Sequence, residues 1–342
     1  MESLLIKNFL SPGDIVMLTA AVRDLHRSYP DRFTTDVRTS CPALWENNPY
    51  LTPLDEEDPE VRVLEAHYPL IHKSNQHPYH FIHGFVQHFN EQLNLQVRPT
   101  AFCGDIHLSG EERDAPSQVE ELLGEDIPFW IVGAGGKYDY TIKWWNRRRY
   151  QEVIDHFRDR VTFVQVGQEG HYHPSLKHVV DLRGKTDLRG LVRLMHHARG
   201  VLCGVTLHMH LAPAVPCRAD APKSRPAVVV AGGREPAHWE AYPTHQFLHT
   251  IGALPCCQTG GCWKARTVPL GDGDKKDEPK NLCKDVSPNG LPHCMDLITT
   301  ERVIQAIELY HSSPTIINQT KYQKNDKSEN RPDPRPTTQI RS

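Results

Sequence analysis

Five of the nine cysteines in this 342-residue chain, Cys256, Cys257, Cys262, Cys283 and Cys294, crowd into one stretch near its end. The sequence between them is too polar for a strand or a buried helix. A thiolate cage around one metal ion accounts for the cluster economically. Four thiolates suit zinc or iron, and such an ion orders a loop that has little core of its own. A cage closed by four protein ligands leaves no position for substrate, so the ion's role would be structural.

Other residues sit where chain reversals bring chemistry to a crevice. Asp14 follows a strand and a glycine turn at Gly13 and starts a helix. A carboxylate there suits a general base, and equally a helix N-cap. Gly135 and Gly136 belong to a glycine loop that lets backbone approach a phosphate, with Lys143, or its competitor Lys137, as a nearby cation. Thr206 and His210 begin a helix just after a strand, where N–H groups point at an anion. Gly233 and Arg234 end a buried strand. The histidine-rich region of residues 67–88 offers Asn75, His80 and His83 as acceptor contacts, with His80 and His83 on one helix face.

These positions require an α/β framework. Residues 4–9 read as a strand, and Ile15, Leu18, Val22 and Leu25 recur at helical spacing until Pro30. Residues 34–39 are a second strand. Residues 45–125 read as loops and helices forming one wall of a cleft. A second series starts near Pro128, with strands at residues 129–132, 161–166, 179–180, 201–205 and 227–231. Between them lie a helix carrying Tyr150, Val153 and Phe157, and another that Thr186 caps and Gly200 stops. Thr299 caps a last helix with Val303, Ile307 and Tyr310. From about residue 319 the chain is polar and proline-rich, the composition of a disordered tail.

Bulk composition narrows the class. A net charge of −3 gives no basic field for nucleic acid. No run approaches the roughly 18 apolar residues of a membrane span, and the first residues are too interrupted for a signal peptide. Clustered cysteines in odd number fit a reducing compartment, so a cytoplasmic location is expected.

The order of motifs resembles the heptosyltransferase-like glycosyltransferases of family 9, which have the GT-B fold. Four segments carry it: residues 13–21 with the later Asn48 and Pro49; residues 132–136 with Lys143 and Trp144; residues 182–188 running into 206–212; and residues 230–235 with Trp239. Together they span about residues 4–311. The cysteine pattern is similar to that of the autotransporter heptosyltransferases of the family, through Cys262 followed by Trp263, then Cys283, then Cys294 shortly before Ile298 and Thr299. In those relatives the cysteines hold iron. Their first pair is spaced Cys-x-x-Cys, and here the gap from Cys257 to Cys262 is longer.

The resemblance implies a fold class of two Rossmann-like α/β domains facing a central cleft, residues 1–125 on the acceptor side and 126–317 on the nucleotide-sugar side. The second would include a Cys-rich metal loop at residues 256–294, and residues 318–342 would form the tail. It implies inverting transfer of a heptose-like sugar from a nucleotide-activated donor, ADP-heptose favoured, to a hydroxyl on a glycan, lipopolysaccharide or protein. Asp14 would be the base. Gly135, Gly136, Lys143, Thr206, His210, Gly233 and Arg234 would bind the donor without a divalent metal. Cys257, Cys262, Cys283 and Cys294 would hold structural iron or zinc, with Cys256 as the alternate to Cys257. The family's Asp and Gly flanking the threonine are Val205 and Leu207 here. That departure keeps open a non-catalytic nucleotide-sugar-binding or scaffold protein on the same fold. A sugar-nucleotide epimerase is a third reading. The partners expected are the donor and its acceptor, with an oligomer compatible and nucleic acid excluded.

Overall fold

The computed structural model describes residues 1–312. The expected tail at 318–342 and the last residues of the expected second domain lie outside them.

The first half is built on a parallel three-stranded sheet of order β2-β1-β3, with β1 Glu2–Asn8, β2 Phe33–Thr39 and β3 Arg62–Glu65. Its central strand buries Leu4, Leu5 and Ile6 in succession, as a strand covered on both faces must. Helix α1, Pro12–Ser28, opens with proline in its first turn, where the ring costs no hydrogen bond. The expected strand and helix at the start are thus present, the strand displaced toward the N-terminus so that Phe9 lies outside it. Residues 45–125 contain more than loops and helices: β3 was not foreseen, because Val63 and Leu64 make too short an apolar run to stand out. Three helices follow it: α2 Phe81–Leu93, α3 Gly110–Asp114 and α4 Gln118–Leu123.

The second half carries a parallel six-stranded sheet of order β6-β5-β4-β7-β8-β9. Its members are β4 Phe129–Gly133, β5 Thr162–Gln165, β6 Val180–Asp181, β7 Gly200–Gly204, β8 Ala227–Gly232 and β9 His245–His249. Interleaved are α5 Arg147–Phe157, α6 Leu188–His197, α7 Leu207–Ala214 and α8 Ala237–Glu240; α9 His293–Asp296 and α10 Thr300–Ser312 follow β9. This is the doubly wound order. The strand sequence reverses between β4 and β7, and a crevice opens at their carboxyl ends.

Two boundary expectations are corrected. Asp187, not Thr186, caps α6, its Oδ1 accepting from the Gly190 N–H at 2.6 Å. Gly200 does not stop that helix but begins β7; the C-cap is Ala198, which leaves the helix in extended conformation. The last helix is where its periodicity puts it, with Thr299 Oγ1 accepting from the Arg302 N–H at 3.3 Å. Val303 and Ile307 of α10 pack with Val153, Ile154 and Phe157 of α5.

The halves are joined by a shared apolar core that contains both Leu4 and Ile6 of β1 and Ile131 and Val229 of the second sheet. Polar contacts reinforce the join. Arg189 of α6 binds Glu112 of the first half and donates to the carbonyls of His107 and Ala43. No helix among the described residues is long and apolar enough to cross a membrane.

Candidate active site and cysteine loop

Between the halves lies a cleft of about 980 Å³, lined from one side by Asp14 and Tyr68 and from the other by Lys143, Thr206, His210, Arg234 and Glu240. It occupies the crevice that the strand order demands.

Asp14 lies in the first turn of α1, and the helix gives it a stabilising N-terminal position. Its side chain accepts a hydrogen bond of 2.5 Å from the Tyr68 hydroxyl. Burial raises its pKa above the usual carboxylate value, against the Tyr68 hydrogen bond and the Lys143 charge, which both lower it. The N-cap of the helix is Ser11, whose own side chain makes no capping bond; the Asp14 carboxylate instead accepts from the Ser11 and Asp14 backbone N–H groups, so Asp14 also caps the helix. Gly13 is needed for a close approach: a side-chain carbon there would come 2.8 Å from Cδ2 of His210 in the opposite half.

Opposite stands a compact charge cluster. Lys143 Nζ lies 2.8 Å from Glu235 Oε1, and the Arg234 guanidinium shares that same oxygen. Arg234 is held over the rings of Tyr140 and Trp263 at 4.9 and 5.3 Å, and its Nε donates to the Lys264 carbonyl. Glu235 is buried, yet its two cations keep its pKa low against burial. Gly135 holds a positive φ of 87° beside the Tyr172 carbonyl, where a side chain would overlap that oxygen. The Gly136 N–H is engaged by that same carbonyl at 2.8 Å. Lys137 reaches Ser11 Oγ at 3.5 Å across the cleft.

Thr206 is the N-cap of α7, and its hydroxyl pairs with His208 Nδ1 at 3.0 Å. His210, one turn on, is 5% exposed and pairs through Nδ1 with the Tyr242 hydroxyl at 2.8 Å. Burial, then the Lys143 charge, drops its pKa to about 3, so the ring is neutral. Val205 and Leu207 face the cleft without a polar group.

His80 and His83 come together, their rings 4.3 and 6.0 Å from that of Phe102, but neither they nor Asn75 line the cleft. His80 is the N-cap of α2, accepting from the Ile82 N–H, so it precedes the helix whose face it was expected to share with His83. Asn75 is committed to the cysteine loop: it donates to the Gly261 carbonyl at 2.9 Å and accepts from the Gly261 N–H and from Trp263 Nε1. Tyr68, Glu240 and Tyr242 were missed by sequence reasoning. Only the aromatic context of residues 239–242 could have drawn attention to the last two.

The cysteine loop folds against the end of β8 by short turns. Among the described residues, no three His, Cys, Asp or Glu side chains stand in a group that could hold a metal ion. The thiols of Cys256, Cys262, Cys283 and Cys294 each lie within electrostatic range of the other three. Burial raises the pKa values of Cys262, Cys283 and Cys294, that of Cys294 to about 12, against backbone groups of Lys264, Asp285 and Gly233 that lower them. Cys257 stands beside the same group, in electrostatic range of Cys256 and Cys262, but it is 2% exposed and its Sγ approaches the carbonyls of Thr250 and Leu254 at 3.4 and 3.5 Å.

No protein-family model and no curated protein matches the chain. Solved structures do. A glycosyltransferase of family 9 from Veillonella parvula aligns at TM-score 0.59 and 13% identity over 90% of this chain and 96% of that one. The E. coli ADP-heptose LPS heptosyltransferase II aligns at 0.58 and 15% over 92% and 100%. The iron-containing dodecameric glycosyltransferase TibC of enterotoxigenic E. coli aligns at 0.57 and 16% over 91% and 76%. The chain therefore shares the fold of the family 9 glycosyltransferases: two parallel-sheet α/β halves around one cleft.

Proposed function

We propose that the chain is an inverting glycosyltransferase that moves a heptose-like sugar from a nucleotide-activated donor, ADP-heptose foremost, to a hydroxyl of a glycan, lipopolysaccharide or protein. The observation that carries this reading is the pairing, across one cleft, of a buried carboxylate with raised pKa, Asp14, and the Lys143–Arg234 cations beside the start of α7.

Asp14 takes the proton of the acceptor hydroxyl as its oxygen bonds to the anomeric carbon. The bond from that carbon to the diphosphate breaks on the opposite face, and its electrons pass to the phosphate oxygen. A base with a raised pKa is better matched to this proton at neutral pH than an ordinary carboxylate. Lys143, Arg234 and the N-terminus of α7 stabilise the leaving diphosphate without a divalent ion. Gly135 and Gly233 permit close backbone packing around the cleft: a side chain at Gly135 would overlap the Tyr172 carbonyl, and one at Gly233 would meet Cys257 and Cys294.

A structural iron or zinc on Cys256, Cys262, Cys283 and Cys294 would brace the loop beside Arg234. The Cys257 contacts favour Cys256 as the fourth ligand. The TibC structure is iron-containing, which favours iron. A cytoplasmic site of action suits free thiols and a nucleotide-sugar donor.

One observation favours the non-catalytic reading instead: the Glu235 carboxylate already sits on both cations. Titration with nucleotide sugars, read as melting temperature, and assay of sugar transfer separate the two. Ligand at about 100 times its Kd adds about 3 kcal/mol of stability. Protection by ADP-heptose with turnover supports the transferase. Protection without turnover on any acceptor class favours the binding protein, and no protection by any sugar nucleotide overturns both.

A further inference from the structure

We propose that Glu240 is a specificity-determining residue whose carboxyl group receives a hydroxyl of the donor sugar. This rests on reading the cleft as a nucleotide-sugar site.

Glu240 ends α8 and is 5% exposed, yet it lines the cleft. Its Oε2 has no hydrogen-bond partner among the described residues. His210 Nε2 lies 3.5 Å from it, on a neutral ring already paired through its other nitrogen. A carboxyl oxygen withdrawn from water and left unpaired is costly, and buried polar groups are otherwise almost always satisfied. A ligand hydroxyl entering the cleft would complete it.

The neighbouring groups leave this task to Glu240. Glu235 also has an unpaired Oε2, but its other oxygen holds Lys143 and Arg234 together. Asp14 is engaged by Tyr68 on the opposite wall. The side chains of Val205 and Leu207, which line the cleft, carry no hydrogen-bonding group. Burial, and then the Glu235 charge, raise the Glu240 pKa well above its ordinary value, against the lowering charges of Lys143 and Arg234. A protonated carboxyl both donates and accepts, as a sugar hydroxyl does. It also adds no negative charge beside the diphosphate. Glu240 belongs to the half that carries Lys143, Arg234 and His210, so the hydroxyl it meets is the donor's.

The test is calorimetric titration of the full-length protein with ADP-heptose and with ADP, which lacks the sugar. Native protein, Glu240→Ala and Glu240→Gln are compared, with melting curves to establish folding. Glu240→Ala should weaken ADP-heptose by about 10- to 100-fold and leave ADP within about twofold. Glu240→Gln, which still donates and accepts, should hold ADP-heptose within about fivefold. Equal ADP-heptose affinity in native and Glu240→Ala proteins overturns the proposal, as does a parallel loss of both ligands. A native protein that binds ADP-heptose no more tightly than ADP overturns the nucleotide-sugar reading itself, before any variant is measured.

Discussion

The Tyr68 hydroxyl donates to Asp14 Oδ1 at 2.5 Å, and both side chains are largely withdrawn from solvent. The bond ties the first turn of α1 to the segment just before α2, so the proposed base is positioned by a residue 54 positions away in sequence. It also opposes burial: the hydroxyl stabilises the charged carboxylate, and the apolar surroundings destabilise it.

The pair sets the first expectation. Asp14→Asn should lower sugar transfer by about a thousandfold or more, with nucleotide-sugar affinity nearly unchanged, because only the transition state needs the proton acceptor. Tyr68→Phe removes an interaction that lowers the Asp14 pKa, so that pKa must rise further. The acid limb of the rate–pH profile should then move to higher pH. A limb that stays in place or moves to lower pH would show that Tyr68 does not tune the base.

Lys143 is expected to act on the donor's phosphates. A charge-assisted hydrogen bond contributes about 1.5–3 kcal/mol, so Lys143→Ala should weaken ADP binding by about 10- to 100-fold. The variant also leaves buried Glu235 with Arg234 as its remaining ion-pair partner, so its melting temperature should fall. Unaltered ADP affinity would remove Lys143 from the donor site.

A buried histidine provides a pH signature. His245, the first residue of β9, has both ring nitrogens without a hydrogen-bond partner among the described residues, and burial drops its pKa to about 3. Unfolded, it titrates near 6.5. Its contribution is therefore present above about pH 6.5 and is lost as pH falls from there toward 3. At pH 5.5 the loss is about 1.4 kcal/mol. His245→Leu should raise the melting temperature, and raise it more at pH 5.5 than at pH 8. The raised pKa values of Asp14 and Glu240 act in the opposite sense, so the difference between native and variant, not the native curve alone, isolates the histidine. An equal gain at both pH values would mean that the ring titrates in the folded protein as it does in the unfolded chain.

The cysteine assignment is checked by metal content. Cys256→Ser should lose the ion, because that thiol is in range of the other three, whereas Cys257→Ser should keep it. Elemental analysis of each purified variant decides the matter, and the opposite pattern would restore Cys257 as the ligand.

What the chain disclosed in advance follows from the range of the interactions. Strands β4, β7 and β8 are continuous apolar runs and the glycine turns are local, so most of the framework and the cleft were legible; β9 was not foreseen, because His245, Gln246 and His249 leave it only two apolar residues. Asp14 was legible because a carboxylate after a strand and a glycine turn is a local pattern. Tyr68 and Glu240 were not, because their significance lies in what other elements bring to them. The cap of α6 was misplaced by one residue because Thr186 and Asp187 are both good capping residues, and only the Gly190 N–H selects between them. His80 and His83 looked like a helix-face pair because their spacing is helical, yet α2 begins one residue later.

Asn75 was expected to meet an acceptor, and its geometry supports a different prediction. It makes a reciprocal pair with the Gly261 peptide, at 2.9 Å in both directions, and its Oδ1 also accepts from Trp263 Nε1 at 3.1 Å. These two residues flank Cys262, and Trp263 in turn lies 5.3 Å from the Arg234 guanidinium. The amide thus fastens a proposed metal ligand and a donor-site cation to the first half of the molecule. Nearby, His238 Nε2 pairs with the Ser74 carbonyl at 2.6 Å and makes the same join. Asn75→Ala should cost about 1–3 kcal/mol, since it leaves partly buried backbone and indole groups unpaired. It should also speed removal of the ion by a chelator, because the loop opens more often. Asn75→Asp keeps the acceptor and loses the donor, so it should retain the bonds from Gly261 and Trp263 and fall between native and alanine proteins. If the alanine variant releases its ion at the native rate, the clamp does not govern the loop, and Asn75 returns to the acceptor side as a candidate contact.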